Sequence, residues 1–394
     1  MSQVRARLIK RKIKNVKARR DVKRARSRRP VKRHHDININ EQVSSLDLFT
    51  PVAESSKQDP IFKMMLEDKY APEREVLKEW ATGFEDRDGK FVYEFQTTFE
   101  SSMWELYIHQ ILKEQGGFVD FSHSAPDFLA TLDDEISIEA TISAPAVNTP
   151  PPVGHSSDDI PDDLGVFNQE AALRLCNSFS SKFLKYEKSY SKMDHVADKP
   201  FVIAIASFDR PFSHLSAHRP IMAALYGIYF DEEATIESGA ENVVSYPVDG
   251  VVKNEKTTIP LGYFATEKYR DVSAVIYSSL ATWGKIRALA DNKDARSVYT
   301  TFHPSEDSLH PEVRVSKKSD YKESIFDGLY IFHNPYAKNP LSINAFGNER
   351  VAQLYPDENG DMEFIAPDDF LLLRFLKTVN LVDAKEVAEQ VGED

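Results

Sequence analysis

At 394 residues, with 41% hydrophobic content, 24 Phe and 16 Tyr, the chain holds enough apolar material for a substantial core, in two or three ordinary domains or one large α/β domain with insertions. Its single cysteine excludes an internal disulfide framework, and no run approaches the ~18 consecutive apolar residues that span a bilayer. The net charge of -13 is unevenly divided: residues 1–35 carry 16 Lys+Arg and one acid, leaving 33 bases and 61 acids elsewhere, a basic arm on an acidic body.

The arm has no aromatic residue and too few apolar ones to fold alone, so disorder or a helix formed on contact is expected. Arg11, Lys12, Arg19, Arg20, Arg24, Arg28 and Arg29 are candidate nucleic-acid contacts, because basic residues at this density neutralise phosphates by counterion release. A solvated tail, a nuclear localisation signal and a solubility device are the competing readings. His34 and His35 extend the charge rather than form a metal pair. The N-terminus lacks the apolar segment of a secretory signal, and although its Arg-rich character overlaps with a transit peptide, cytoplasm or nucleus is the expected location. No membrane partner is expected.

Residues 36–57 read as a linker that closes an N-terminal unit of residues 1–57. Helical spacing follows over Asp59–Tyr70, Pro72–Thr82 and, most clearly, Phe95–Gln115, which Gly116 and Gly117 end. Asp127–Leu132 and Glu135–Ile142, joined across Asp133-Asp134, have the pattern of a β-hairpin. Residues 144–165 read as an exposed loop, Asn168–Tyr190 as a helix and Phe201–Phe208 as a buried strand. Cys176, within that helix, is expected as a small buried residue rather than a nucleophile. Beyond residue 210 the pattern is less regular. Val243–Val252 with Thr257–Phe264 predicts a hairpin, Val272–Tyr277 and Leu329–Phe332 predict strands, and Asp368–Val379 and Val382–Gln390 predict helices. A core of residues 58–210 followed by an elaboration of residues 211–394, within the same globule or outside it, is the expected organisation.

The hairpin carries the chemistry. In Glu135–Ile142 a period of two sets Ile136, Ile138, Ala140 and Ile142 on one face and Ser137, Glu139 and Thr141 on the other. Asp127 follows Pro126 at the start of the partner strand, so the hairpin can bring it beside Glu139. Two carboxylates converging at a sheet edge are oxygen ligands for a hard cation such as Mg²⁺. Glu105, one turn from Ile108 on the preceding helix, could project towards the same place. Acids on a hairpin's polar face are more often simply solvated; it is the combination that points to a site.

Glu105, Pro126-Asp127 and Glu139-Ala140-Thr141, placed helix–strand–strand, resemble the PD-(D/E)XK nuclease superfamily over roughly residues 90–210. The resemblance implies an α/β fold with a restriction-endonuclease-like αβββαβ core, a mixed sheet flanked by helices. It also implies Mg²⁺ or Mn²⁺ held by Asp127 and Glu139 with Glu105 as a further acid, and phosphodiester hydrolysis, with DNA the expected substrate and RNA still open. In the family a lysine two positions after the Glu steadies the attacking water; here that position is Thr141, whose hydroxyl carries no charge. Some members supply the cation from the next helix. Lys182 and Lys185 lie there, and Lys182 is preferred because Phe179, Phe183 and Tyr186 would hold its face against the sheet.

Thr141 also keeps open a non-catalytic nucleic-acid-binding or assembly subunit of the same fold, and the basic arm keeps open an interaction protein that engages RNA or an acidic partner. Elsewhere, His214 and His218 stand four apart but no third ligand completes a metal set, and His333-Asn334-Pro335-Tyr336 reads as a structured turn. No phosphate-cradling glycine motif occurs, so nucleotide hydrolysis has no support.

Overall fold

The computed structural model describes residues 46–145, 159–239, 243–293, 295–305, 307–357 and 361–378. The basic arm, most of the loop expected at 144–165 and the helix expected at Val382–Gln390 lie outside the described residues.

Part of the expected linker is pinned to the core. Leu48 is fully buried, and the buried Gln96 amide accepts from Val52 N and Ala53 N at 2.8 and 3.0 Å while donating to Leu48 O and Thr50 O. One side chain thus supplies partners that a strand neighbour would otherwise give.

Helices α1 (Pro60–Met65), α2 (Ala71–Ala81) and α3 (Phe91–Thr97) form an outer layer over α4 (Phe99–Glu114). Asp59 caps α1 by accepting from Ile61 N, with Pro60 in the first turn where no donor is needed. The expected helix Phe95–Gln115 is two helices, because Thr98 leaves helical geometry at φ -142° and ψ 61°. Gly116, at φ +75°, ends α4 as its sequence predicts. Helix α4 is buried on almost every side. Its Tyr107 meets Trp80 of α2 at a ring distance of 5.8 Å, and its Trp104 donates from Nε1 to Ala204 O at 3.1 Å.

After α4 come β1 (Phe118–Asp120), β2 (Phe128–Thr131), β3 (Glu135–Ser143), α5 (Leu164–Lys188) and β4 (Phe201–Ser207). The hairpin and the later helix and strand therefore stand where expected, with β1 added at the edge. Helix α6 (Arg219–Tyr226) leads to β5 (Ile228–Asp231), α7 (Glu232–Ser238), β6 (Val244–Pro247), β7 (Gly250–Asn254) and β8 (Thr257–Pro260). The single hairpin expected over 243–264 is instead two: β6 pairs with β5, and β7 with β8. Then follow β9 (Ala274–Ser278), α8 (Trp283–Leu289), β10 (Ser297–His303), β11 (Glu312–Lys317), β12 (Tyr330–His333), β13 (Ala352–Pro356), β14 (Met362–Ile365) and β15 (Leu373–Thr378). The helix expected at Asp368–Val379 is corrected to strand β15. Its apolar run suits either state, and the antiparallel partner β10 decides.

Eight strands make one mixed sheet in the order β1-β2-β3-β4-β9-β12-β13-β14, and β11-β10-β15 form a second sheet. Strand β3 runs antiparallel to β2 but parallel to β4, and β4 is parallel to β9. The alternation read from the sequence sorts the two cores. Ile136, Ile138, Ala140, Val202, Ala204 and Ile276 pack towards α4, whereas Ile203, Ile205, Val275 and Phe332 pack towards α5 with Phe179 and Phe183. The protein is thus a mixed α/β structure whose large sheet is covered by helices on both faces. Among the described residues no helix is long and apolar enough to cross a membrane.

Candidate functional site

The β2–β3 ladder ends where Phe128 faces Ile138. One residue further out, Asp127 no longer pairs through its backbone. Its Oδ2 accepts from Ala140 N at 2.7 Å, so a carboxylate takes the place of the missing rung. That substitution sets Asp127 opposite Glu139, as the hairpin register predicts.

Glu139 is fully buried between β3 and α5. Helix α5 begins at an Asp163 cap and presents Phe179, Phe183 and Tyr186 to the core. Lys182 and Lys185, three residues apart on that helix, both reach Glu139 Oε1, at 2.8 and 2.9 Å. Lys182 is 21% exposed and Lys185 50%, so both ammonium groups communicate with solvent while the carboxylate does not. Burial pushes the Glu139 carboxyl up, but the two lysines outweigh it and hold the group below the usual range. Among the described residues its Oε2 makes no well-formed hydrogen bond, although the Tyr190 hydroxyl lies close enough to interact with the carboxylate.

Two further acids feel the same field. Burial and then the Glu139 charge raise Asp127 to about 6, with Lys182 opposing. Burial and then Asp127 raise Glu105 to about 8, with Lys182 again opposing. Asp127 thus interacts with both Glu139 and Glu105, with Lys182 offsetting each, while Glu105 reaches the group from α4 only through Asp127 and Lys182. Thr141 is part-buried and contributes little, its hydroxyl reaching only Ile142 O at 3.5 Å. Residues Arg11, Lys12, Arg19, Arg20, Arg24, Arg28 and Arg29 lie outside the described residues.

The oxygen donors of Asp127 and Glu139 suit a hard divalent cation in their chemistry, and one buried Glu139 oxygen makes no well-formed hydrogen bond among the described residues. The geometry is not that of a closed cage. Among the described residues no three His, Cys, Asp or Glu side chains stand together at metal-holding distance. Asp127 and Glu139 are the residues that could share such an ion.

Several neighbours carry no signal in the sequence. Arg87, in the turn between α2 and α3, donates to Pro126 O at 3.2 Å, Asp127 O at 3.0 Å and His123 O. His195 Nε2 lies 2.8 Å from Ala125 O, so that nitrogen carries the hydrogen, and its ring stacks on His123 at 3.8 Å. Tyr190 sits with its ring 5.0 Å from Lys185 Nζ, and burial and the Glu139 charge push its phenol up. These contacts join segments far apart in sequence, and only the fold brings them together.

The other sequence candidates fall elsewhere. His218 is packed against the Tyr330 ring, and burial lowers it to about 4; His214 lies against Phe375. Burial pushes the Cys176 thiol up to about 12, the behaviour of a packing residue. His333 pairs with Gln353 at 2.9 Å on β12, three strands from β3 or ~14 Å at the usual strand spacing, beside a cleft of about 590 Å³. Asn334 there donates to Tyr269 O and Val272 O, a structured turn as read. Compared with family models, curated proteins and solved structures, the chain matches none.

Proposed function

We propose that the chain is a divalent-metal-dependent nuclease of the PD-(D/E)XK type, hydrolysing phosphodiester bonds, with DNA as the expected substrate. The observation that carries this reading is the convergence on Glu139: Lys182 and Lys185 meet one of its oxygens, while Asp127 stands just before the facing strand with its carboxylate on Ala140 N. The order α4, β1, β2, β3, α5, β4, with β3 parallel to β4, agrees with the core that the family resemblance implies and supports the same reading.

On this reading Asp127 and Glu139 would hold Mg²⁺ or Mn²⁺, and Glu105 would orient or add to the set. The bound ion supplies positive charge to the scissile phosphate. Lys182 takes the part of the lysine that Thr141 does not provide, donating to the attacking water or the phosphate from α5. Lys185 keeps the Glu139 carboxylate ionised and oriented when Lys182 turns away. The basic arm supplies long-range attraction that the acidic body cannot.

The test is cleavage of plasmid, single-stranded DNA and RNA with Mg²⁺ or Mn²⁺, alongside Asp127→Ala and Glu139→Ala. Loss of cleavage in both variants, with folding intact, is expected; persistence in both refutes the assignment. A second reading, a non-catalytic nucleic-acid-binding or assembly subunit, is favoured by the absence of charge at Thr141. Salt-dependent binding without cleavage by the wild type selects it.

A further inference from the structure

The Pro126-Asp127 segment has no secondary structure of its own, since residues 121–127 are irregular. Its position is nevertheless tightly determined from two sides. From the outer helical layer, the Arg87 guanidinium donates to the carbonyls of His123, Pro126 and Asp127. From the segment after α5, His195 donates to Ala125 O. Four carbonyls in a five-residue stretch are therefore held by two side chains, one from each face of the sheet.

Arg87 is prepared for this. Its own turn is set by Asp86, which accepts from Phe91 N, and by Asp88, which accepts from Lys90 N. Neither neighbouring carboxylate pairs with the guanidinium among the described residues, and its three hydrogen bonds all go to backbone carbonyls. The planar fork grips two successive carbonyls at once, which a single ammonium cannot reproduce. Its plane lies near the Phe121 ring, 5.9 Å from Cζ to centroid.

We propose that Arg87 is the positioning residue for Asp127, holding the loop so that the Asp127 carboxylate stays on Ala140 N–H at the end of the β2–β3 ladder. The catalytic consequence rests on the nuclease reading; the positional one does not. Arg87 acts through the loop backbone and touches no reacting atom.

The readout is the amide of Ala140, whose hydrogen bond to Asp127 Oδ2 reports where that carboxylate is. Residue-resolved hydrogen exchange on the full chain compares wild type, Arg87→Ala and Arg87→Lys. In Arg87→Ala the Ala140 amide is expected to exchange at least ~5-fold faster, the loss of about one hydrogen bond, while the β4 amides are unchanged. Millimolar guanidinium restores it, and Arg87→Lys falls between. Unchanged Ala140 exchange in Arg87→Ala overturns the proposal. If Arg87→Ala accelerates exchange across the whole chain, Arg87→Lys is decisive: faster exchange confined to Ala140 sustains the proposal, and wild-type exchange there overturns it. Cleavage is read in parallel, where a misplaced Asp127 is expected to lower kcat by about 100-fold with KM little changed and guanidinium rescuing turnover. A wild type that never cleaves removes the nuclease reading, yet Ala140 still decides what Arg87 does.

Discussion

Two buried glutamates in this molecule are built from the same parts to different degrees of completion. The Glu323 side chain is fully buried, and its Oε1 meets Lys285 and Arg374, whose side chains are 0% and 2% exposed. Its Oε2 accepts from the Tyr321 hydroxyl at 2.5 Å. Glu139 also meets two cations through one oxygen and has a tyrosine beside it. There, however, the cations are open to solvent, and among the described residues neither Glu139 Oε2 nor the Tyr190 hydroxyl close by completes a well-formed hydrogen bond. A sealed, satisfied cluster does nothing but hold the chain; an unsatisfied one has bonding capacity left for something else.

The sharpest way to break this comparison is to remove each acid. Glu323→Ala leaves Lys285 and Arg374 buried without a counter-charge and is expected to cost about 3–5 kcal/mol in urea unfolding. Glu139→Ala lets Lys182 and Lys185 swing into water and is expected to cost less than about 1 kcal/mol. Equal losses would mean that the two clusters are of one kind. On the functional side, Lys182→Met is expected to lower kcat by about 100-fold or more with little change in Tm. Lys185→Met should do less, and the reverse ranking would make Lys185 the working cation.

Metal is the next lever. Adding Mn²⁺ at 100 times its Kd is expected to stabilise the protein by about 2.7 kcal/mol, seen as a raised Tm, and Asp127→Asn should abolish the shift. The same addition leaves the Glu323 cluster untouched. The smallest effect concerns protons. Glu105, raised to about 8, and Asp127, raised to about 6, hold a proton more tightly folded than unfolded. Their contribution to stability is present at low pH and is lost as pH rises from the ordinary carboxylate range through these values. Glu105→Gln should flatten that decline and gain about 1–2 kcal/mol over wild type at pH 9 without metal.

Local pattern made the first half of the molecule readable. The period of two in Glu135–Ile142 matches the two faces of β3, and the hairpin pattern alone sets Asp127 opposite Glu139. What sequence could not give was set at long range. Strand β15 resembles a helix because Leu371, Leu372, Leu373, Phe375 and Leu376 satisfy either period, and β10, roughly seventy to eighty residues earlier, settles it. Among the described residues Arg87 bonds to carbonyls about forty residues away, which any residue type presents, so nothing in the partner sequence advertises the contact. Lys182 was distinguishable from Lys185 by its aromatic neighbours, but their sharing of one oxygen was not.

The pairing of β4 on both sides decides how the molecule can be handled. Val202 to Ala206 hydrogen-bond with β9 as well as with β3. A fragment ended at residue 210 would keep all the candidate residues of the described site, yet it would turn an interior strand of seven buried residues into a naked border. Such a border recruits other chains, so the shortened protein is expected to aggregate rather than work. The candidate site lies in the first half of the chain, but the strand that covers its exposed flank comes from the second.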